Sequence, residues 1–172
     1  RLPFPDEEFD YIFSRGNENF FKDDVFQGFL SEVLRVLKPG GWFEVAMASR
    51  QIYDGGPAFS LWNSGWLSWY KANNINPDLM FHIFDYIQKT KKFECIEHQT
   101  AKLFLGKGNN ESGEFGVEFF LYVLNDLKEV LISDMGISSK QYNDLIKEVK
   151  IEFKNGKSNP YSYYHRIFGE KK

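Results

Sequence analysis

Phe26 to Met47 reads FQGFLSEVLRVLKPGGWFEVAM, and the fold turns on how this stretch is parsed. Phe26, Phe29, Leu30, Val33, Leu34 and Leu37 recur at i, i+3, i+4, i+7, i+8 and i+11, which is one face of a helix. Lys38-Pro39-Gly40-Gly41 then supplies a cation for the negative end of the helix dipole, a residue that cannot continue the ladder, and glycines for a left-handed turn. Trp42 to Met47 is short and mostly apolar, as a buried strand is. The spacing therefore predicts a helix over Phe26–Leu37, a turn, and a strand over Trp42–Met47, the second half of a β-α-β unit.

The first half lies immediately upstream, where Phe9–Ser14 (FDYIFS) is another apolar run of strand type. The expected core is a pair of adjacent parallel strands joined through the helix in a right-handed crossover. Two phrases, LPFPDEEFDYIFSR at Leu2–Arg15 and LSEVLRVLKPGGWFEV at Leu30–Val45, occur in this order and resemble the class I, Rossmann-like S-adenosylmethionine-dependent methyltransferases. The arginine after the first strand, the tryptophan after Gly-Gly and the C-terminal half are most similar to the fungal secondary-metabolism-regulator-like branch of that family.

The resemblance implies an α/β fold: the C-terminal half of a mostly parallel sheet with an antiparallel last strand and helices packed on it. It also implies S-adenosylmethionine as methyl donor, with a Gly-rich loop and an acidic ribose partner lying before the LPF phrase. Because that phrase opens this chain, the expectation is a single methyltransferase domain over 1–172 that is N-terminally incomplete, with apolar surface exposed at the cut edge and self-association through it. An isolated chain of this kind is expected to bind S-adenosylmethionine very weakly and to show no turnover. Leu2, Ser14, Arg15 and Gly16 are the cofactor-facing candidates, since open α/β sheets bind ligands at the carboxyl ends of their strands. Arg15 has a plainer alternative: it caps the strand and pairs with Glu18 or Asp23. Asp23 and Asp24 stand where an N-cap and an anionic first turn belong.

Composition narrows the function classes. The 172 residues are 42% hydrophobic and 18% aromatic, enough for one core and too few for two ordinary domains. A net charge of −3 without a basic stripe argues against nucleic acid as partner. The single Cys95 excludes an internal disulfide, and three scattered histidines give no metal-ligand spacing, so no metal is expected. No apolar run approaches a membrane span and the N-terminus is no signal peptide, giving an intracellular expectation, cytoplasmic or nuclear. Asn110-Glu111-Ser112, formally a glycosylation sequon, reads as a polar loop.

Beyond the second strand, Ser49, Arg50, Tyr53 and Asp54 follow at its carboxyl end, and Asp54-Gly55-Gly56-Pro57 reads as a turn with proline entering the next helix. There Phe59, Trp62, Trp66, Trp69 and Tyr70 form an aromatic stripe. Such a stripe is either core or, as the resemblance implies, a lid over an acceptor pocket whose rings stay unlocked. Tyr53, Asp54, Trp62 and Trp66 are the substrate-binding candidates. Asn76-Pro77 opens another helix, and Phe93–Leu105 reads as a long, partly exposed strand. Gly106-Lys107-Gly108 resembles a phosphate loop, but Glu111 stands where the third glycine belongs, and a plain turn is the better reading. Helices over Glu114–Ser133 and Ser138–Lys154 follow, the second opened by a Ser138/Gln141 capping box and ended by Asn155-Gly156. Tyr161–Phe168 should return as a strand antiparallel to Phe93–Leu105.

No triad or metal cluster is needed for methyl transfer, where the protein chiefly positions the reactants and excludes water. A base is required only for a protonated acceptor. Asp54 and the tyrosines are possible bases, nothing selects among them, and no catalytic residue or acceptor is assigned. The alternative reading is a non-catalytic methyltransferase remnant acting as an interaction or regulatory module.

Overall fold

The computed structural model describes residues 1–16, 21–106, 111–155 and 158–172. In chain order the elements are β1 (Phe9–Arg15), α1 (Asp23–Val36), β2 (Leu37–Ala48), α2 (Pro57–Ala72), α3 (Leu79–Lys89), β3 (Phe93–Phe104), α4 (Glu111–Asp126), α5 (Lys128–Met135), α6 (Ser139–Asn155) and β4 (Tyr161–Lys171). This is an α/β protein with a mixed sheet of order β1-β2-β4-β3. Strands β1 and β2 pair in parallel, Tyr11 opposite Trp42 and Arg15 opposite Ala46, as the sequence predicts. Strand β4 runs antiparallel to β2. It is also antiparallel to β3, because Lys172 N–H reaches Lys92 O at one end and Leu105 N–H reaches Pro160 O at the other.

The junction between α1 and β2 departs from the expected turn. Leu37 is already extended, and β2 begins there. Phe9 pairs with Leu37 and Tyr11 with Trp42, so Lys38–Gly41 is accommodated as a bulge opposite Asp10. Two glycines make this possible. Gly40 sits at φ +76, and a Cβ on Gly41 would lie 2.9 Å from both Leu37 Cδ1 and Lys38 O. Lys38 Nζ closes the bulge on Asp10 at 2.9 Å. The helix start also shifts: Lys22 is the N-cap without a side-chain bond, while Asp23 accepts hydrogen bonds from Tyr86 Oη (2.6 Å) and Asn76 Nδ2 (3.3 Å). The predicted cap is thus spent on α3, a partner that local sequence does not reveal. Asn76 Oδ1 in turn accepts from Asp78 N–H, and α3 starts at Leu79 rather than at Pro77.

Length suggests one core, but the buried side chains form two clusters. The described residues divide into two compact units, Arg1–Ser49 with Asn74–Ala101 and Tyr164–Lys172, and Arg50–Asn73 with Lys102–Tyr163. The first unit buries Phe26, Leu30 and Val33 of α1 against Phe43, Val45 and Met47 of β2, and Met80, Ile83 and Ile87 of α3. The alternating pattern of β2 explains the choice of face. Its even positions Trp42 and Glu44 lie with Tyr11 and Phe13 of β1 on the other side, where Tyr11 and Phe13 are 53% and 48% exposed.

The second unit is built on α2. Phe59, Trp62 and Tyr70 are 2%, 0% and 2% exposed, and Trp66 and Trp69 pack half-buried beside them. This overturns the unlocked lid, because α4, α5 and α6 close over the stripe. The expected helix Glu114–Ser133 divides at Leu127 into α4 and α5, with neither glycine nor proline at the break. The Ser138/Gln141 capping box forms as predicted: Ser138 N–H reaches Gln141 Oε1 at 2.8 Å and Gln141 N–H reaches Ser138 Oγ at 3.2 Å. Gly156, the expected stop of α6, and Lys107–Asn110 of the glycine loop lie outside the described residues.

Pro57 occupies the first turn of α2 as expected, but the N-cap Gly56 has no side chain to offer. Glu152 of α6 substitutes for it, its two carboxylate oxygens accepting Ala58 N–H and Phe59 N–H at 2.9 Å each. Removing this charge-assisted pair with Glu152→Ala should cost about 1–3 kcal/mol in urea unfolding. With Glu152 in place, a cap introduced by Gly56→Ser should add no stability, since a Cβ there would lie 2.2 Å from the Glu152 carboxyl carbon. A loss well under 1 kcal/mol would show that α2 does not depend on this cap.

Candidate functional site

The carboxyl end of β1 is shaped by one glycine. Gly16 donates its N–H to Ala46 O at 3.2 Å, extending the parallel ladder one residue beyond the strand, and then turns away at φ +70. A side-chain-bearing residue would be strained in that conformation. Ser14, 5% exposed, points to the covered side of the sheet; Arg15, exposed, lies on the other. The Arg15 guanidinium carbon stands 5.9 Å over the Phe13 ring. Of its two proposed partners, Asp23 is engaged by Tyr86 and Asn76, and Glu18 lies outside the described residues. Among the described residues Arg15 forms no ion pair. The parallel register places Met47 to Ser49 beside this edge, so Ser14, Arg15 and Gly16 share one strand-end locus with the end of β2.

Leu2 belongs to another cluster. Its N–H donates to Glu32 Oε2 at 2.8 Å, and its carbonyl accepts from Arg35 Nη2 at 3.1 Å. Arg35 also donates to Phe4 O and to Asp6, fastening the Leu2–Asp6 segment to the last turn of α1. Glu32 is held down to about 2, first by its hydrogen bond from Arg35 and then by Leu2 N–H, and Glu32 first and Asp6 second raise Arg35. Two prolines and three acids in this connection hide its anchor, because Arg35 lies some thirty residues on.

On the outward side of the sheet Arg166 of β4 holds Glu44 of β2 bidentately, Nε at 2.6 Å and Nη2 at 2.8 Å, and Tyr11 Oη adds a third bond at 2.9 Å. Arg166 is the main cause of Glu44's lowered pKa; burial, followed by Glu44 itself, raises that of Tyr11. Sequence reasoning singled out none of these three. A second unpredicted arrangement joins β3 and β4, where His98 Nε2 and His165 Nδ1 stand 2.9 Å apart. His165 is 2% exposed and its pKa is lowered to about 4, by burial first and by His98 second.

The substrate-binding candidates lie in the second unit. Tyr53 bridges Tyr161 through two backbone hydrogen bonds of 2.9 and 3.0 Å, and its ring stacks on that of Tyr161. Asp54, at φ +55, lines a cavity of about 330 Å³ with Gly55, Gly56, Pro57, Glu152, Asn155 and Ser158. Trp62 and Trp66 do not line it. Trp62 donates Nε1–H to Tyr142 Oη at 3.1 Å inside the core. Trp66 packs 5.2 Å from Trp62, with its buried Nε1 lacking a partner among the described residues. Among the described residues no group of three or more His, Cys, Asp or Glu side chains is placed to hold a metal. No helix there is long and apolar enough to cross a membrane.

Residues 1–45 match the family model described as "Methyltransferase domain". No curated protein sequence matches the chain. Among solved structures, the chain is similar to phosphoethanolamine N-methyltransferase 2 of Haemonchus contortus, solved with phosphomonomethylethanolamine and S-adenosylhomocysteine. The identity is 20% and the TM-score 0.46, over 98% of this chain and 34% of that one. It is also similar to the YcgJ protein of Bacillus subtilis, at 18% identity and TM-score 0.48, over 100% of this chain and 68% of that one. The chain thus spans about a third of the length of the first and about two thirds of the second.

Proposed function

We propose that this chain forms part of an S-adenosylmethionine-dependent methyltransferase, with the strand-end locus of Ser14, Arg15 and Gly16 facing the cofactor. The observation that carries the reading is the coincidence of two features in one segment. Residues 1–45 match a methyltransferase domain, and that segment folds as β1-α1-β2 with a parallel pair ending in a left-handed glycine. The carboxyl edge of such a pair is where open α/β sheets receive ligands. The Arg15 guanidinium is complementary to the cofactor's carboxylate, and Gly16 keeps the edge clear of a side chain. The resemblance to the fungal regulator-like branch rests on Arg15, Trp42 and the C-terminal half.

When bound, S-adenosylmethionine supplies an electrophilic sulfonium methyl: the acceptor–carbon bond forms as the carbon–sulfur bond breaks, and S-adenosylhomocysteine leaves. The protein's task is then to hold donor and acceptor in line and to exclude water. Tyr53 and Asp54 are kept as acceptor-binding candidates from the sequence, and Asp54 is the carboxylate among them that could receive a proton from a protonated acceptor. Trp62, sealed in the core, is assigned to stability.

Titrating S-adenosylhomocysteine into the ¹⁵N-labelled chain tests the cofactor edge. Amides of Ser14 to Gly16 and Met47 to Ser49 should shift in a saturable way. The expected affinity is only about millimolar, because this sequence carries no G-x-G-x-x-G turn. Arg15→Ala should weaken binding about tenfold, the worth of one charged hydrogen bond. Saturable shifts confined to other regions, or none at all, would overturn the assignment.

A further inference from the structure

Helices α4 and α6 and the start of α5 line a cavity of about 270 Å³ whose walls differ sharply in chemistry. Its floor is Leu124 and Tyr142, both 1% exposed, flanked by Leu121 and Ile146. Its rim carries Lys128, Lys147 and Lys150, with no acid among the lining residues. The spacing explains part of the arrangement: Leu121, Leu124 and Asn125 succeed one another at i, i+3 and i+4 on α4, and Lys128 opens α5 just beyond the break at Leu127. Asn143, Ile146, Lys147 and Lys150 follow at i, i+3, i+4 and i+7 along α6, with Tyr142 beside Ile146 one turn away.

Solvated lysines are ordinary on a helix surface, but three features separate this rim from that case. Lys147 is neutralised by Asp144 at 2.8 Å, whereas Lys128 and Lys150 form no ion pair among the described residues. The Asn125 and Asn143 amides likewise make no hydrogen bond there. Finally, the Tyr142 hydroxyl is committed, donating to Leu124 O at 2.6 Å and accepting from Trp62 Nε1, so the floor spends its one proton inward. An occupant must therefore be apolar below and anionic above.

We propose that this groove binds a small amphiphilic anion, a carboxylate or phosphate monoester carrying a short apolar chain. The cavity holds the volume of roughly nine waters, which suits about as many heavy atoms. The charge lies over Lys128 and Lys150, and the chain lies on Leu124, Tyr142 and Ile146. The proposal rests on no assumption about methyl transfer.

Hexanoate and butyl phosphate, titrated separately into the ¹⁵N-labelled chain, are the probes, and the tighter of the two identifies the head group. Saturable shifts should centre on Leu124, Tyr142 and Ile146. Hexan-1-ol, which lacks the charge, and inorganic phosphate, which lacks the chain, should each bind about tenfold more weakly. The double variant Lys128→Gln/Lys150→Gln should lose about tenfold in affinity for hexanoate at unchanged Tm. Equal binding of hexan-1-ol would reduce the site to an apolar hole, and equal binding of phosphate to a charged patch; either overturns the proposal. So would an unaffected double variant, or binding to phosphatidylglycerol vesicles without binding to hexanoate, which would make the surface a membrane contact.

Discussion

Trp62→Ala should destabilise the protein by about 3–5 kcal/mol, the range for truncating a fully buried aromatic side chain. Trp62 has no exposed surface and packs against Trp66, Phe120 and Phe59 at ring distances of 5.2, 5.6 and 6.1 Å. Truncation would open a cavity among large rings on several helices, which cannot all move inward together. It would also remove the Nε1–H donor that Tyr142 Oη accepts. Against a total stability of roughly 5–15 kcal/mol for an ordinary domain, the loss would leave a marginal fold. Urea denaturation measures it, and Trp62→Phe, which keeps most of the packing, separates the hydrogen bond from the cavity. A loss below about 1 kcal/mol would mean that the ring moves freely, as the lid reading of the stripe requires.

Acidification should destabilise the protein before its carboxylates titrate. His165 is buried, with Phe81 edge-on at 5.1 Å and its Nδ1 at His98 Nε2. A second proton on this pair would place two cations in contact, and burial already disfavours the first. The folded pKa of about 4 lies below the ordinary 6.5, so the unfolded chain binds the proton more readily. The stability from neutral His165 is therefore complete above pH 6.5 and is lost as pH falls toward 4. The full difference amounts to at most about 3 kcal/mol. Stability followed from pH 7 to 5 should already decline, and His165→Phe should flatten that part of the profile. An unchanged slope in the variant would assign the acid sensitivity to other groups.

What the sequence determined by itself is the part of the molecule written in short range. The apolar period over Phe26–Leu37 and the runs around it were sufficient for the parallel β1-α1-β2 unit, since each element's buried face is encoded within the element. Ser138 and Gln141 specify their cap across three residues, and Pro57 marks the first turn of α2, for the same reason. The aromatic period of α2 was equally visible, but it could not say whether the rings met a substrate or a core.

Tertiary structure decided that question by bringing α4, α5 and α6 over the stripe. It also decided that Asp23 would serve Tyr86 rather than its own helix, and that Glu152 would cap a helix more than ninety residues away. The same holds for the Glu44–Arg166 pair and for the meeting of His98 with His165. A polar side chain satisfies itself with whichever partner the fold delivers, and over such separations no periodicity in the chain names that partner. Lys38–Gly41 is the local counterpart: Pro-Gly-Gly permits a turn or a bulge equally, and pairing of Leu37 and Trp42 with the same neighbouring strand selected the bulge.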